Sequence, residues 1–253
     1  MKAYRKIIDK IESKREKVYF IHYSCQNLSD ENEAYSPRIT SIAVLHMLSS
    51  QMHSFSIHLI AEEMHIQREN IFEEYDDIER NMLEKYFNFI SNRKEDSIWI
   101  HWNMTNINYG FETLEHRFKV LTGKDPIHID EHNKFNLSYI LKRRYGSNYA
   151  KDPKMLNLML LNNREKDRNF LSGEEEVRAY KAKEFIKLHN STMCKVYFFR
   201  DVYNKLRVNR LKTETNKLRY KINNISQNPI VQIVGLVGII GTLLSLFIFF
   251  FKK

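Results

Sequence analysis

From Ile230 to Phe251 the chain carries no charged residue, and the run is followed at once by Lys252 and Lys253. At about 1.5 Å of rise per residue, a helix of that length spans about 33 Å, enough for a hydrocarbon core about 30 Å thick. A buried core helix is rarely so long or so uniformly apolar. The run is therefore expected to be a single transmembrane helix, a tail anchor inserted after synthesis. It lies at the wrong end of the chain for a secretory signal. The opening Met1-Lys2-Ala3-Tyr4-Arg5-Lys6 reads as the start of a polar helix rather than an export signal.

Basic residues near the ends of a span set its orientation. Lys205, Arg207, Arg210, Lys212, Lys217, Arg219 and Lys221 precede it, against two lysines beyond it. The large N-terminal part is thus expected in the cytoplasm, with a two-residue stub across the membrane. Roughly 225 residues precede the anchor, enough for one sizeable core. The formal charge of +9 suits anionic partners such as nucleic acid or lipid headgroups, and the basic segment before the span accounts for part of it. Cys25 and Cys194 form no Cys-x-x-Cys and are expected as two reduced, buried thiols in a cytosolic domain. None of the ten histidines stands in a tight ligand spacing, so neither a metal nor another cofactor is expected.

The periodicity predicts a short helix over 2–16 and strands over 18–24, 38–46 and 54–60, with a hairpin turn at Ser49-Ser50-Gln51. A long helix is expected over 68–91 from Ile71, Tyr75, Ile78, Met82, Tyr86 and Phe89, then a fourth strand over 97–102. Helices follow over 108–121, ended by Gly123, and over 135–145, ended by Gly146. Residues 155–162 read as a short apolar segment. Residues 173–205 read as helix, with a β-like break possible at 196–199. This is an α/β domain with a mixed sheet flanked by helices. The expected division is a cytoplasmic domain over 1–200, a basic stalk helix over 201–228 and the anchor over 229–253. In Val202–Gln227, the stripe Leu211, Leu218, Ile222 and Ile225 would either pack on the chain's own domain or form an oligomeric bundle.

The densest polar and aromatic cluster is His101-Trp102-Asn103 with Asn106, Asn108, Tyr109 and Glu112, at the C-terminal end of a strand, where α/β sheets bind ligands. Trp102 or Tyr109 would stack on a base and the asparagines read base edges; the plainer reading is a strand-to-helix turn with an asparagine cap. Lys142, Arg143 and Arg144 would meet phosphates, or simply form a solvated helix end. His22 is either a satisfied buried histidine or a pocket residue. His189-Asn190-Ser191-Thr192 is polar within a helix and by default faces solvent. Glu73, Glu74, Asp76, Asp77 and Glu79 read as a solvated face. In the span, Gln232, Gly235, Gly238, Thr242 and Ser245 fall within about 140° of a helical wheel at about 100° per residue. They would face a neighbouring helix or line a pore, or belong to an idle anchor.

The element order resembles that of DEDD-type 3′–5′ exonucleases of the ribonuclease-H-like superfamily. There the first strand ends in Asp-x-Glu, two hairpin strands follow, and a later strand and a late helix supply two further acids. The four acids hold two metal ions. Here His22 and Ser24 stand where the first pair would be. The fourth strand reads Trp99-Ile100-His101-Trp102-Asn103-Met104, and the late helix reads Lys187 to Lys195, both without Asp. The resemblance implies a ribonuclease-H-like fold over about 17–200 with an inactive cleft that holds a nucleic-acid end. His22, Ser24, His101, Trp102, Asn103, Asn106, Asn108, Tyr109 and His189 would line it, and Lys142, Arg143, Arg144 and Lys195 would contact phosphates.

Such a domain joined to one membrane helix resembles the Hailong effector channels of bacterial anti-phage defence. That resemblance implies a homo-oligomer, with a tetramer as the expected size, in the inner membrane. Its ligand would be a short single-stranded DNA made by a partner nucleotidyltransferase, and occupancy would gate a channel whose opening kills the infected cell. Two other readings stay open. One is an active membrane-tethered nuclease using Glu112, Glu115 or Asp130. The other is a non-catalytic adaptor that the anchor merely localises.

Overall fold

The computed structural model describes residues 3–26, 37–93, 95–106, 109–163 and 165–216. After a first helix, α1 (Ala3–Glu12), come three strands: β1 (Val18–Cys25), β2 (Ile39–His46) and β3 (Met52–Ser56). They form an antiparallel meander in which Tyr19 faces His46 and Ile42 faces Phe55. After α2 (Ile57–Glu63) and α3 (Tyr75–Ser91) the chain returns through β4 (Ile98–His101), parallel to β1. A small ribbon of β5 (Thr105–Asn106) and β6 (Tyr109–Gly110) leads to α4 (Phe111–Thr122) and β7 (Lys134–Asn136), parallel to β4. The five-stranded order is β3-β2-β1-β4-β7. It is a mixed sheet flanked by helices, as the periodicity implies.

Both faces of the sheet are covered, so β2 is buried almost throughout rather than alternating. On one face, Val18, Phe20, Ala43, Leu45, Ile98 and Ile100 bury against α1 (Ala3–Glu12), α5 (Leu137–Tyr145), α6 (Lys154–Asn163) and α8 (Phe185–Arg207). On the other, Ile21, Tyr23, Ile42, Val44 and Trp99 bury against α2, α3, α4 and α7 (Gly173–Lys181). Side chains alternate across a strand, so Phe20, His22 and Ser24 all turn toward α8.

Several expectations are corrected. The third strand stops at Ser56: Ile57, Ile60 and Ala61 fit helical spacing as well as alternation, and all three bury on the helical face of α2. The long helix begins at Tyr75, preceded by a short 3-10 turn over Arg68–Asn70. Residues 134–136 are a strand, not the start of a helix; a three-residue edge strand carries too little periodicity to register. The 173–205 helix is two helices, broken where Lys183 takes a positive φ of 54° and Glu184 N–H returns to Ala179 O. Residues 196–199 stay helical because Val196, Phe198 and Phe199 all enter the core.

No continuous stalk helix leaves residue 202. α8 runs through position 200, stops at Arg207, and is capped by Arg144, whose Nη1 donates to Leu206 O at 2.8 Å. The chain then folds back: Leu211 and Thr213 are buried and Glu214 N–H donates to Tyr149 O. Leu211 thus packs on its own domain, while Leu218, Ile222 and Ile225 lie outside the described residues. Among the described residues no helix is long and apolar enough to cross a membrane. The expected span over 230–251, with its stripe from Gln232 to Ser245, also lies outside them.

Candidate functional site

α7 begins with three glutamates that meet three fates. Glu174 is exposed. Glu175 closes a capping box with Ser172 and pairs with Lys166 at 2.7 Å, which holds its carboxyl down at about 2. Glu176 turns inward, toward the C-terminal end of β1, and lines a cleft of about 670 Å³ with His22, Ser24, Tyr109, Arg178 and Lys195.

One oxygen of Glu176 gathers three donors. Lys195 Nζ lies 2.6 Å from Oε1, Ser191 Oγ 3.0 Å and Ser24 Oγ 3.1 Å. Thr192 Oγ1 adds to the chain at 3.0 Å from Ser24 Oγ. Ser24, Ser191, Thr192 and Lys195 are all buried. A buried ammonium is tolerable only with such a counter-charge. β1 supplies Ser24, α8 supplies three of the others, and α7 supplies the carboxylate.

His22 sits one alternate position earlier on β1. Its Nδ1 is 3.1 Å from the Tyr109 hydroxyl, which donates to Tyr23 O at 2.9 Å. Burial first, and the Lys195 charge second, hold His22 well below its usual pKa, so it is neutral. Burial also pushes the Cys25 thiol up to about 12, aided by the Glu176 and Glu79 carboxylates, which leaves no thiolate at neutral pH.

Two divalent ions need several carboxylates around them. This donor set does not fit them, because its carboxylate is already neutralised by an ammonium. Among the described residues no three His, Cys, Asp or Glu side chains are placed to hold a metal ion. Glu112 is exposed, Glu115 binds His128 at 2.8 Å, and Asp130 caps a 3-10 turn; they do not converge.

The structure brings His22, Ser24, Tyr109 and Lys195 together and sends the other candidates elsewhere. Trp102 is not a stacking platform: it is buried in the α8-side core, against Phe199. His101 faces α4 and lines a separate cleft with Lys134 and Asn136; its Nδ1 accepts Met104 N–H at 3.1 Å. Burial drives its pKa to about 3. Asn103 is exposed at φ 55° and interlocks with Asn136, whose Nδ2 donates to Asn103 Oδ1 at 3.2 Å. Asn106 contributes backbone to β5, and Asn108 lies outside the described residues.

His189 does not face solvent. It is buried with Nδ1 2.7 Å from Ser41 Oγ, away from the Glu176 cleft. Lys142 and Arg143 are exposed on α5, Arg143 donating to Tyr139 Oη, and Arg144 is spent on the end of α8. Glu79 is not on a solvated face either: it is fully buried on Arg117, 2.6 Å away.

Sequence reading missed Glu176 as a site residue, because three consecutive glutamates look like one solvated helix start. The available signal was the polar set Ser191, Thr192 and Lys195, spaced to share one face of α8. No protein-family model matches this sequence, and no curated protein is detectably similar to it.

Proposed function

We propose that this chain is a membrane-anchored, non-hydrolytic sensor. Its domain holds a short single-stranded DNA or related nucleotide signal at the C-terminal end of β1. Occupancy acts through the C-terminal segment on an oligomeric membrane span, in the manner of Hailong-type anti-phage effectors. The observation that carries the reading is the Glu176–Lys195 pair at the end of the first strand. The strand order resembles that of ribonuclease-H-like nucleases, which gather their metal-binding acids at this end of this strand. Here a single carboxylate stands there, already gripped by an ammonium and hydroxyls, a donor set suited to hold an anion and unsuited to activate water through metals. The uncharged run over 230–251 supports the membrane part, and the net charge of +9 supports an anionic ligand.

The test uses the full chain in detergent micelles with a labelled single-stranded DNA tetramer. The expected result is no cleavage with Mg²⁺ or Mn²⁺, and binding that weakens as salt rises because phosphate contacts release counterions. Metal-dependent cleavage abolished by Glu112→Gln would move the site elsewhere and make the chain a nuclease. In liposomes, the same DNA should change ion permeability; unchanged permeability would leave the span a passive anchor.

A further inference from the structure

The Glu176 cluster is built as an anion receptor. Lys195, Ser191 and Ser24 converge on one oxygen, and the polarity of the first two is fixed. An ammonium only donates. Ser191 accepts Leu171 N–H at 3.1 Å, so its single proton is left for Glu176. Ser24 Oγ donates to Glu176 at 3.1 Å, and the Thr192 hydroxyl 3.0 Å from it is shared with Leu188 O, 2.9 Å away. The donors stand on β1 and α8, at the centre of the fold. The acceptor alone comes from α7, where Ala179 is the one fully buried residue. The rigid part of the domain thus holds the receptor and a lightly anchored helix supplies the anion.

Charge points to the ligand. Of the charged residues lining the cleft, Arg178 and Lys195 are positive and Glu174 and Glu176 negative. Withdrawing Glu176 turns a balanced lining positive and leaves a buried ammonium and two hydroxyls without their acceptor. A buried unpaired charge is costly, so another anion must take the place. A terminal phosphate can set one oxygen at this focus, turn its other oxygens toward the open cleft, and carries nearly two charges at neutral pH. An internal phosphodiester offers two free oxygens and one charge.

We infer that the cleft is a terminal-phosphate site in which Glu176 is a resident stand-in that the ligand displaces. This rests on the nucleic-acid reading above and narrows it: the domain senses a phosphorylated end. Displacement of Glu176 also frees α7, whose Tyr180 packs on Tyr75 and Phe185, so occupancy at β1 reaches the α3 side of the domain.

The experiment measures binding of three single-stranded DNA tetramers to the full chain in micelles: 5′-phosphorylated, 3′-phosphorylated and unphosphorylated. In parallel, inorganic phosphate is titrated while the melting temperature is followed. One phosphorylated tetramer should bind at least about tenfold tighter than the unphosphorylated one. Glu176→Gln should tighten that preference, and its melting temperature should rise with inorganic phosphate more than the wild type's. Glu176→Gln/Lys195→Met should lose both effects, and the phosphate-dependent rise shows that the single variant is folded. Equal binding of all three tetramers overturns the terminal-phosphate site and leaves the nucleic-acid reading standing. If no tetramer binds while phosphate still protects Glu176→Gln, the phosphate site stands and the nucleic-acid reading falls. No binding and no protection overturns both.

Discussion

The Trp102 indole lies parallel to the Phe199 ring, centroids 5.8 Å apart and planes 18° apart, in the core between β4 and α8. Trp102 also meets Tyr149 and Phe198 edge-on or tilted. A large aromatic removed from such a place leaves a cavity. Trp102→Ala is expected to cost about 3–5 kcal/mol of stability. Trp102→Phe should cost much less, and its DNA affinity per folded molecule should equal the wild type's. Urea unfolding and anisotropy on the same samples check both. Loss of affinity in a fully folded Trp102→Phe would return this residue to the ligand site.

How far the sequence speaks can be argued from such residues. Val18 to Ser24 and Ile98 to His101 announce themselves as buried strands because both sheet faces are covered, so nearly every position is apolar or aromatic. Gly123 and Gly146 end α4 and α5 as expected, with φ of 68° and 84°. Burial is what the pattern conceals. Glu79, His189 and Trp102 are each the opposite of their apparent environment, because partners 38 residues or more away, such as Arg117, decide it. The same long reach hides Glu176, which meets Ser24 across 152 positions.

Arg117 links α4 to α3 by donating Nε to Glu79 Oε1 at 2.9 Å and Nη2 to Glu79 Oε2 and Asp76 Oδ1. Glu79 Oε1 also accepts Ile39 N–H at 2.8 Å, and Tyr75 donates to Ile39 O, so α3 clamps both backbone groups at the start of β2. Arg117→Met leaves a buried carboxylate without its cation and should cost about 3–5 kcal/mol. Arg117→Met/Glu79→Gln should recover part of that loss, because the uncompensated charge is gone. Strictly additive losses in the double-mutant cycle would show that the two side chains are not coupled.

The buried histidines give stability a pH dependence of fixed sign. Burial lowers His189 to about 4 and His101 to about 3 from 6.5. Below about pH 6.5 the unfolded chain binds protons that the folded chain refuses, so stability is full above that pH and falls as pH drops toward the folded values. Each should cost about 2 kcal/mol between about pH 7 and about pH 5. His189→Gln, which can keep a hydrogen bond to Ser41 Oγ, should flatten the slope by its share. Chemical denaturation at several pH values measures it. An unchanged slope in the variant would mean that His189 is protonated while folded.

Where the folded domain closes determines where the proposed anchor can be cut away. Residues 208–216 are not a spacer: Leu211 joins the α8-side core, Asn162 holds Lys212 through backbone contacts on both its groups, and Glu214 N–H is bound by Tyr149 O at 2.8 Å. A chain ending at Asn216 retains all of these and is expected to be folded and soluble, with the melting behaviour of the intact domain. A chain ending at Arg207 loses the buried Leu211 side chain and these backbone bonds, and should be less stable by about 2–5 kcal/mol. The first truncation also removes Lys217, Arg219 and Lys221 and the uncharged run over 230–251, so it should leave the membrane fraction entirely, whereas the full chain should resist extraction by salt and carbonate. If the chain ending at Asn216 still sediments with membranes after a salt wash, the terminal run does not by itself anchor the protein and the domain surface must bind lipid on its own. If the two truncations are equally stable, the return of the chain onto α6 contributes nothing to the fold and the domain ends with α8.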